Sequence, residues 1–160
     1  TPLHHWAIAI KNHYSQNSQT KHRLSNNIIN ATLQTPDKAI WIATENGLNK
    51  IDPKTEIISN FLVNPNEKEV LSDSTFYGLA HSQGKLWING NSGLQVIDQK
   101  TLKKDDIIFP EKFKQLFSEP AFDMYFLDKD NLAITNEEGI YNYNICILSF
   151  FMNYGDFIRT

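Results

Sequence analysis

The sequence contains almost no cysteine. Cys146 is the only one among 160 residues, so the chain cannot form an internal disulfide or a CxxC redox pair. It lies in an apolar run, residues 143–151, where a small buried hydrophobe is expected rather than a reactive thiol. The five histidines show no metal-ligand spacing, so no metal site is predicted.

Positive charge and long apolar segments are also scarce. Fifteen Lys and Arg face eighteen Asp and Glu, a formal net charge of −3. This balance lacks the basic excess that would neutralise a phosphate backbone, so nucleic acid is not an expected partner. No apolar run approaches the roughly 20 residues of a membrane span, and no signal peptide opens the chain. With 41% apolar and 21% charged residues, we expect a soluble segment with a sizeable core.

Motifs of catalysis are missing as well. The chain has no GxSxG elbow, no Cys/His pairing signal and no carboxylate pair whose proximity the sequence can show. It also has no glycine-rich phosphate loop between a strand and a helix. We therefore predict that the segment is not an enzyme and uses no cofactor.

What the chain does contain is an internal repeat. Residues 40–55 return as residues 86–101, and a weaker third copy covers residues 132–144. Gly47, Gly93 and Gly139 lie at the same phase, 46 residues apart each time. Upstream, Leu24-Ser-Asn-Asn27 matches Leu71-Ser-Asp-Ser74 at an offset of 47 residues. Self-similarity at such a period is typical of repeat architectures.

Each period reads as four short strands separated by turn signals. The predicted strands are 28–35, 39–44, 48–52 and 56–63 in the first copy, 75–82, 85–89, 94–98 and 106–109 in the second, and 122–128, 131–135, 140–144 and 146–152 in the third. Four strands in about 40–50 residues are the signature of a β-propeller blade. The predicted fold is all-β, a partial β-propeller.

The chain is expected to begin and end partway through a repeat. We expect one propeller segment, residues 1–160, with the end of a blade at 1–23, blades at 24–63, 71–113 and 117–152, and the start of another at 153–160. This amounts to about 3.5 four-stranded blades, whereas closed propellers have about 4–8. Either the segment belongs to a longer propeller, or copies self-associate through their open blade edges, for example as a homodimer.

Glycine and tryptophan mark structural positions of the repeat. Gly47, Gly93 and Gly139 lie where a tight hairpin between the second and third strands requires positive φ, which glycine adopts without steric cost. Trp41 and Trp87 share one phase and alternate with polar neighbours, which favours packing between adjacent blades over stacking on a sugar.

Aspartate marks a second kind of turn. Asp52 and Asp98 each open a turn between the third and fourth strands, where the carboxylate can accept hydrogen bonds from the backbone two residues on. Two such residues one blade apart are not a calcium cage. We therefore interpret both as turn formers.

Polar side chains are expected to ring one mouth of the channel, because the fourth-to-first connections and the second-to-third loops emerge on the same rim. These are Asn26, Asn27, Glu45, Asn46, Asp73, Ser74, Asn91, Ser92, Glu137 and Glu138. The candidate ligand-binding residues are Glu45, Asn46, Asn91, Ser92 and Glu137, together with His81, which lies in an innermost strand and can face the channel. Amides and carboxylates suit an unidentified hydroxyl-rich small molecule, for example a glycan fragment, although tight turns select the same residue types.

The repeat resembles a known family. Leu24-Ser-Asn-Asn27, the strand Ile40-Trp-Ile-Ala-Thr44, the pattern Gly47-Leu-x-x-Ile-Asp-x-x-Thr55 and a closing Phe61 are similar to the two-component regulator propeller repeat. The resemblance implies the periplasmic sensor portion of a bacterial inner-membrane signalling protein, whose cytoplasmic part is a histidine kinase or a diguanylate cyclase. In the hybrid sensors of gut bacteria, such propellers respond to glycan fragments.

Two alternatives stay open at this point. One is a propeller-fold enzyme similar to the streptogramin lyases, which would need histidine and carboxylate side chains converging at the channel mouth, where only His81 is a candidate. The other is a propeller that only binds other proteins. The third copy also departs from the family pattern, with Ala133 in place of the tryptophan and Asn144 in place of the aspartate.

Overall fold

The described part of the protein is built from β-strands. The computed structural model describes residues 12–18, 22–62, 71, 73–105 and 123–145. Its strands are β1 (Ile29–Gln34), β2 (Ile40–Thr44), β3 (Gly47–Ile51), β4 (Ile58–Phe61), β5 (Phe76–Ser82), β6 (Lys85–Gly90), β7 (Gly93–Asp98), β8 (Asp123–Phe126), β9 (Asn131–Asn136) and β10 (Gly139–Asn144). The prediction of an all-β fold is confirmed.

The strands form three antiparallel sheets in chain order. The first sheet has the order β1-β2-β3-β4, the second β5-β6-β7 and the third β8-β9-β10. A single bridge between Ile97 and Lys104 extends the second sheet beyond β7. The fourth strands predicted at 106–109 and 146–152, and Cys146 with them, lie outside the described residues.

Successive sheets stack on one another through their first strands. β1 packs beside β5, and β5 beside β8. Asn30 Nδ2 in β1 donates to the Phe76 carbonyl at 2.9 Å, and Ser82 Oγ in β5 donates to the Lys129 carbonyl at 2.9 Å. Three up-and-down sheets whose first strands lie innermost are the arrangement of a partial propeller.

The core consists of the layers between the sheets. Trp41, Ala43 and Leu48 of the first sheet pack against residues of the second, and Trp87, Ala80 and Val96 of the second pack against residues of the third. Trp41 is fully buried and stacks on Phe61, with ring centroids 5.6 Å apart. Each tryptophan therefore fills the space between its own sheet and the next.

The third sheet has an exposed apolar face. Tyr125 pairs with Ala133, the residue at the tryptophan phase, and both lie on the side turned away from the second sheet. Tyr125, Leu127 and Ile140 expose 66%, 57% and 77% of their surface. We call this surface the open face, because the equivalent faces of the first two sheets are covered by the following sheet.

The hairpins between second and third strands turn at the predicted glycines. The φ angles of Gly47, Gly93 and Gly139 are +107°, +89° and +138°, which confirms the prediction of positive φ. The predicted strands 85–89 and 94–98 leave four residues between them, whereas Gly90 pairs with Gly93 and only two residues turn. A two-residue turn with glycine at positive φ matches the twist of the strands and lets the ladder continue to its last pair.

The connections at the other end of the sheets are closed by aspartates. Asp52 Oδ1 accepts hydrogen bonds from the backbone N–H groups of Lys54 and Thr55 at 2.9 and 2.8 Å and from Thr55 Oγ1 at 3.0 Å. Asp98 does the same with Lys100 and Thr101. The predicted turn-forming role of both aspartates is confirmed.

Candidate ligand site at the channel mouth

The predicted polar residues lie mostly at one end of the stacked sheets. We call this end the mouth. Glu45 and Asn46 form the turn between β2 and β3, Asn91 and Ser92 the turn between β6 and β7, and Glu137 lies in the turn between β9 and β10. Their side chains are exposed.

The segment that leads into β5 joins the first two hairpins. The Gly47 N–H donates to the Ser74 carbonyl at 2.6 Å, and Thr75 Oγ1 donates to the Glu45 carbonyl at 3.0 Å. On the other side, the backbone N–H and the hydroxyl of Ser92 donate to the Asp73 carboxylate at 2.9 and 2.6 Å. These bonds bring residues 45–46, 73–75 and 91–92 together on one continuous rim between the first and second sheets.

Asp73 itself is turned inward. Its side chain is buried, and its carboxylate also accepts a hydrogen bond from Gln95 Nε2 at 2.9 Å. A Cβ added at Gly90 would lie 2.6 Å from Asp73 Oδ2 and 2.8 Å from the Thr75 carbonyl oxygen. Glycine is therefore needed where the hairpin passes Asp73, and Asp73 holds the rim instead of facing a ligand.

The first sheet has a matching contact. The Ser25 N–H donates to Asn49 Oδ1 at 2.9 Å, and Asn49 Nδ2 donates to Ser25 Oγ at 2.8 Å. Asn49 and Gln95 occupy the same position of the repeat, in the third strand of each sheet. A buried amide in the third strand thus ties down the segment that precedes the first strand in both repeats.

Tyr77 also belongs to the rim, although no motif of the repeat singles it out. The register of β5 against β6 shifts between Phe76 and Gly78, and the same shift in β1 surrounds Asn30. Such bulges re-aim a side chain out of the ladder. Tyr77 Oη donates to Asn91 Oδ1 at 2.7 Å, so the half-buried ring lies beside the exposed turn of the second hairpin.

The third hairpin is not joined to this rim in the same way. Asn136 Oδ1 accepts a hydrogen bond from the Glu138 N–H at 2.9 Å, and Tyr141 Oη donates to Glu138 Oε2 at 2.6 Å. These bonds stay within the hairpin. Glu137 is exposed at the mouth without a described contact to the first two hairpins.

His81 lies far from the mouth. It pairs with Leu86 near the opposite end of β5, five residues beyond Phe76, which is about 17 Å along a strand. Strand alternation puts it on the same side as Leu79, toward the first sheet, and its Nε2 atom is buried with no hydrogen-bond partner within the described ranges. The structure therefore does not bring His81 together with the other candidate residues.

The described lysines lie toward one end of the sheets, and the mouth at the other end holds carboxylates but no described lysine. In the described part of the chain the lysines all lie in or beside the connections opposite the mouth: Lys38, Lys50, Lys54, Lys85, Lys100, Lys103, Lys104 and Lys129. Arg23 follows His22, whose Nδ1 lies 2.9 Å from the Glu56 carbonyl oxygen at that same end. The carboxylates at the mouth are Glu45, Asp73, Asp123, Glu137 and Glu138.

The described residues contain neither a cluster of metal ligands nor a helix that could span a membrane. Residues 12–18, 22–62, 71, 73–105 and 123–145 contain no group of three or more His, Cys, Asp or Glu side chains placed to hold a metal ion. The same stretches include no helix of the length and apolar character needed to cross a bilayer.

Comparison with known proteins places the repeat in a family. Residues 23–46 match the model of the family described as "Two component regulator propeller", which confirms the resemblance seen in the sequence. A search of curated proteins returned no match.

Three solved structures with a similar fold are much longer than this chain. The extracellular domain of a putative hybrid two component system from Bacteroides thetaiotaomicron is 21% identical with a TM-score of 0.65, over 82% of this chain and 19% of that one. A second such domain from the same organism is 18% identical with a TM-score of 0.50, over 73% of this chain and 14% of that one. PorZ, a surface component of the type-IX secretion system of Porphyromonas gingivalis, is 15% identical with a TM-score of 0.53, over 72% of this chain and 17% of that one. At these identities the likeness shows the fold, and the chain spans about a fifth or less of each solved chain.

Proposed function

We propose that this chain, which carries a two-component regulator propeller repeat, is a non-catalytic sensor or scaffold segment of a bacterial signalling protein. It would lie in the periplasm as part of an inner-membrane protein and relay the binding of a ligand or partner to a cytoplasmic output domain. The family match over residues 23–46 and the fold shared with extracellular domains of hybrid two component systems support this role.

The rim at the mouth is the observation that carries the proposal. Hydrogen bonds from the segment 73–75 fix the first two hairpins relative to each other. Glu45, Asn46 and Asn91 are exposed there, and the described hydrogen bonds leave the Glu45 carboxylate, the Asn46 side chain and Asn91 Nδ2 available. A preorganised set of amide donors and carboxylate acceptors suits a hydroxyl-rich ligand such as a glycan fragment.

The position of His81 favours this role over that of a propeller-fold enzyme. Acid–base catalysis needs a proton-transferring group within hydrogen-bond reach of the bound substrate. His81 lies about 17 Å along β5 from the rim, with Leu86 as its partner in the ladder. A ligand held at the rim is therefore recognised there without this histidine.

Binding of a glycan panel to the protein, followed by calorimetry, tests the proposal. We expect at least one panel member to bind, and Asn91→Ala and Glu45→Ala each to weaken it about tenfold, the equivalent of roughly 1.4 kcal/mol. Asn142→Ala, an exposed amide in β10, is the matched control and should bind as the wild type does. Unchanged affinity in both rim variants would mean that Glu45 and Asn91 form the turns without contributing to ligand binding.

The open face of the third sheet supports a second element of the proposal, self-association. Tyr125, Leu127 and Ile140 lie on the side that the next blade covers in the first two repeats. A second copy of the chain that covers this face would remove the exposed apolar surface from water.

A further inference from the structure

We propose that the rim between the first and second sheets recognises a primary ammonium group on its ligand, with Glu45 as the ion-pair partner, Asn91 Oδ1 as a second acceptor and the Tyr77 ring as the surface on which the ligand rests. The inference rests on the proposed function, because it takes the mouth as the ligand site. It adds the charge of the ligand, which the hydroxyl-rich class leaves open.

The first argument is the balance of donors and acceptors. An ammonium group has three donors and no acceptor, so it needs oxygen atoms around it. The Glu45 carboxylate has no described partner, and Asn91 Oδ1 receives one hydrogen bond, from Tyr77 Oη at 2.7 Å. An amide oxygen has two lone pairs, so one remains for the ligand. The hydrogen bond from Tyr77 also orients the Asn91 amide with its oxygen toward the tyrosine hydroxyl. The position of that oxygen sets where a donor of the ligand must lie.

The second argument is proximity. Thr75 Oγ1 donates to the Glu45 carbonyl at 3.0 Å, and Thr75 precedes Tyr77 by two residues. The bulge at Tyr77 turns the ring out of the β5 ladder at this point. Glu45 and Tyr77 therefore belong to the same stretch of rim. A cation near an aromatic face gains further electrostatic stabilisation from the ring quadrupole.

The third argument is the field at the mouth. Among the described lysines, Lys50 comes nearest along a strand, three residues beyond Gly47 in β3, which is about 10 Å, and the others lie at the opposite end of the strands. This separation exceeds the Debye length of about 8 Å at physiological ionic strength. The described lysines are therefore largely screened from Glu45, and the described charges favour the approach of a cation to the rim over that of an anion.

The source of the ammonium group can be an amino sugar or a lysine side chain, and separate arms of one binding experiment distinguish them. The protein is titrated with a glucosamine tetramer, with its fully N-acetylated counterpart and with trilysine, at a mildly acidic pH where the amines are charged. We expect the free amine of the sugar to bind at least about tenfold tighter than the acetylated form, and the difference to shrink as salt is added.

Variants assign the effect to the rim. Glu45→Gln should abolish the preference for the free amine. Tyr77→Ala should weaken the binding of both sugars. Tyr77→Phe should keep the ring and lose only the hydrogen bond that orients Asn91. Asp123→Asn removes a carboxylate at the start of β8, at the same end of the molecule but outside the rim, and should leave the preference intact. A circular dichroism melt of each variant shows that it is folded.

The outcomes separate this inference from the proposed function. Equal binding of the free and acetylated sugars, or a preference that survives Glu45→Gln, overturns the ammonium site while the glycan site stands. Binding of trilysine alone, sensitive to Glu45→Gln, supports the ammonium site and overturns the hydroxyl-rich ligand. Binding of none of the three probes overturns the ammonium site, while the glycan panel still decides the proposed function.

Discussion

The Asp73 carboxylate and the Gln95 side-chain amide are joined by a 2.9 Å hydrogen bond, and both side chains are buried. Asp73 precedes β5 and Gln95 lies in β7, so this bond fastens the entry of the innermost strand to the third strand of its own sheet. Asn49 makes the equivalent attachment in the first sheet by bonding to Ser25. In the third sheet Tyr141 stands at this position of the repeat, so that sheet has no amide there.

Asp73→Ala should therefore be strongly destabilising. It removes the acceptor of hydrogen bonds from Ser92 and Gln95 and leaves the buried Gln95 amide without this partner. Loss of these hydrogen bonds to a charged group predicts a fall of about 2–4 kcal/mol in the free energy of unfolding. Urea denaturation measures it. Ser74→Ala, an exposed neighbour, should change it by less than about 0.5 kcal/mol, and equal effects of the two variants would show that the attachment is unimportant.

Gly90→Ala tests the close passage of the second hairpin. The new Cβ would lie 2.8 Å from the Thr75 carbonyl oxygen and 2.6 Å from Asp73 Oδ2, so backbone must shift. We expect a loss of about 1–3 kcal/mol in the free energy of unfolding. Gly78→Ala is the control in the same sheet, because its nearest contacts are with Met124 at 3.6 Å. A thermal melt in which both variants match the wild type would contradict the close approach.

The aspartate turns predict part of the acid sensitivity. The hydrogen bond from the Thr55 backbone N–H is the main cause that lowers the pKa of Asp52, and the bond from the Thr101 backbone N–H does the same for Asp98. A carboxyl with a lowered folded-state pKa stabilises the fold above its unfolded value, and this contribution is lost as the pH falls through the folded-state pKa.

Replacing both residues, Asp52→Asn with Asp98→Asn, should accordingly flatten the loss of stability between about pH 4 and pH 2. The asparagine side chains keep an acceptor in each turn, so the variant should remain folded at neutral pH. Urea midpoints at pH 7, 4 and 2 provide the measurement. A loss as steep as that of the wild type would mean that other groups govern acid unfolding.

Self-association is expected to depend on the open face. Ile140→Lys places a charge on the open face, which Ile140 shares with Tyr125 and Leu127, and should raise the dimer dissociation constant at least about tenfold. Ile28→Lys, an equally simple change at an exposed isoleucine elsewhere, should not. Sedimentation velocity over a concentration series decides this, and a wild-type protein that stays monomeric throughout would refute the proposal.

The sequence predicted the fold well because its signals are local. Glycine at one phase defines each hairpin, and aspartate followed by threonine three residues later defines the opposite turn. The strand ends were less predictable. Gly47 and Gly139 were expected in loops but open β3 and β10, because ladder pairing across a two-residue turn is set by the partner strand and not by the glycine itself.

The offset of 47 residues upstream against 46 downstream now has a structural explanation. Gln34 pairs with Ile40, and the equivalent pair in the second sheet is His81 with Leu86, so five residues separate the pair in the first sheet and four in the second. The extra length lies in the turn around Pro36, at the end opposite the mouth. The repeat therefore absorbs its irregularity away from the rim, which preserves the geometry of the candidate site.

The candidate site was only partly predictable. Glu45 and Asn91 follow from the hairpins, whose positions the repeat defines. Tyr77 does not, because a bulge depends on how two strands align in three dimensions. Asp73 was expected with Ser74 in the polar ring of the mouth, but its side chain is buried against Gln95, and sequence alone does not tell an exposed turn carboxylate from one that folds inward.

The separation of lysines from the carboxylates of the mouth gives the described part of the molecule a permanent electric dipole along the strands. The lysine end also holds Asp37, Asp52, Glu56, Asp98, Asp105, Asp128 and Asp130, so near a surface of anionic lipid headgroups the mouth is repelled more strongly than that end. The resulting torque turns the rim away from the bilayer and toward the solution from which small molecules arrive. Raising the salt concentration shortens the range of this torque, so the orientation is a low-salt property that acts only within about a nanometre of the membrane.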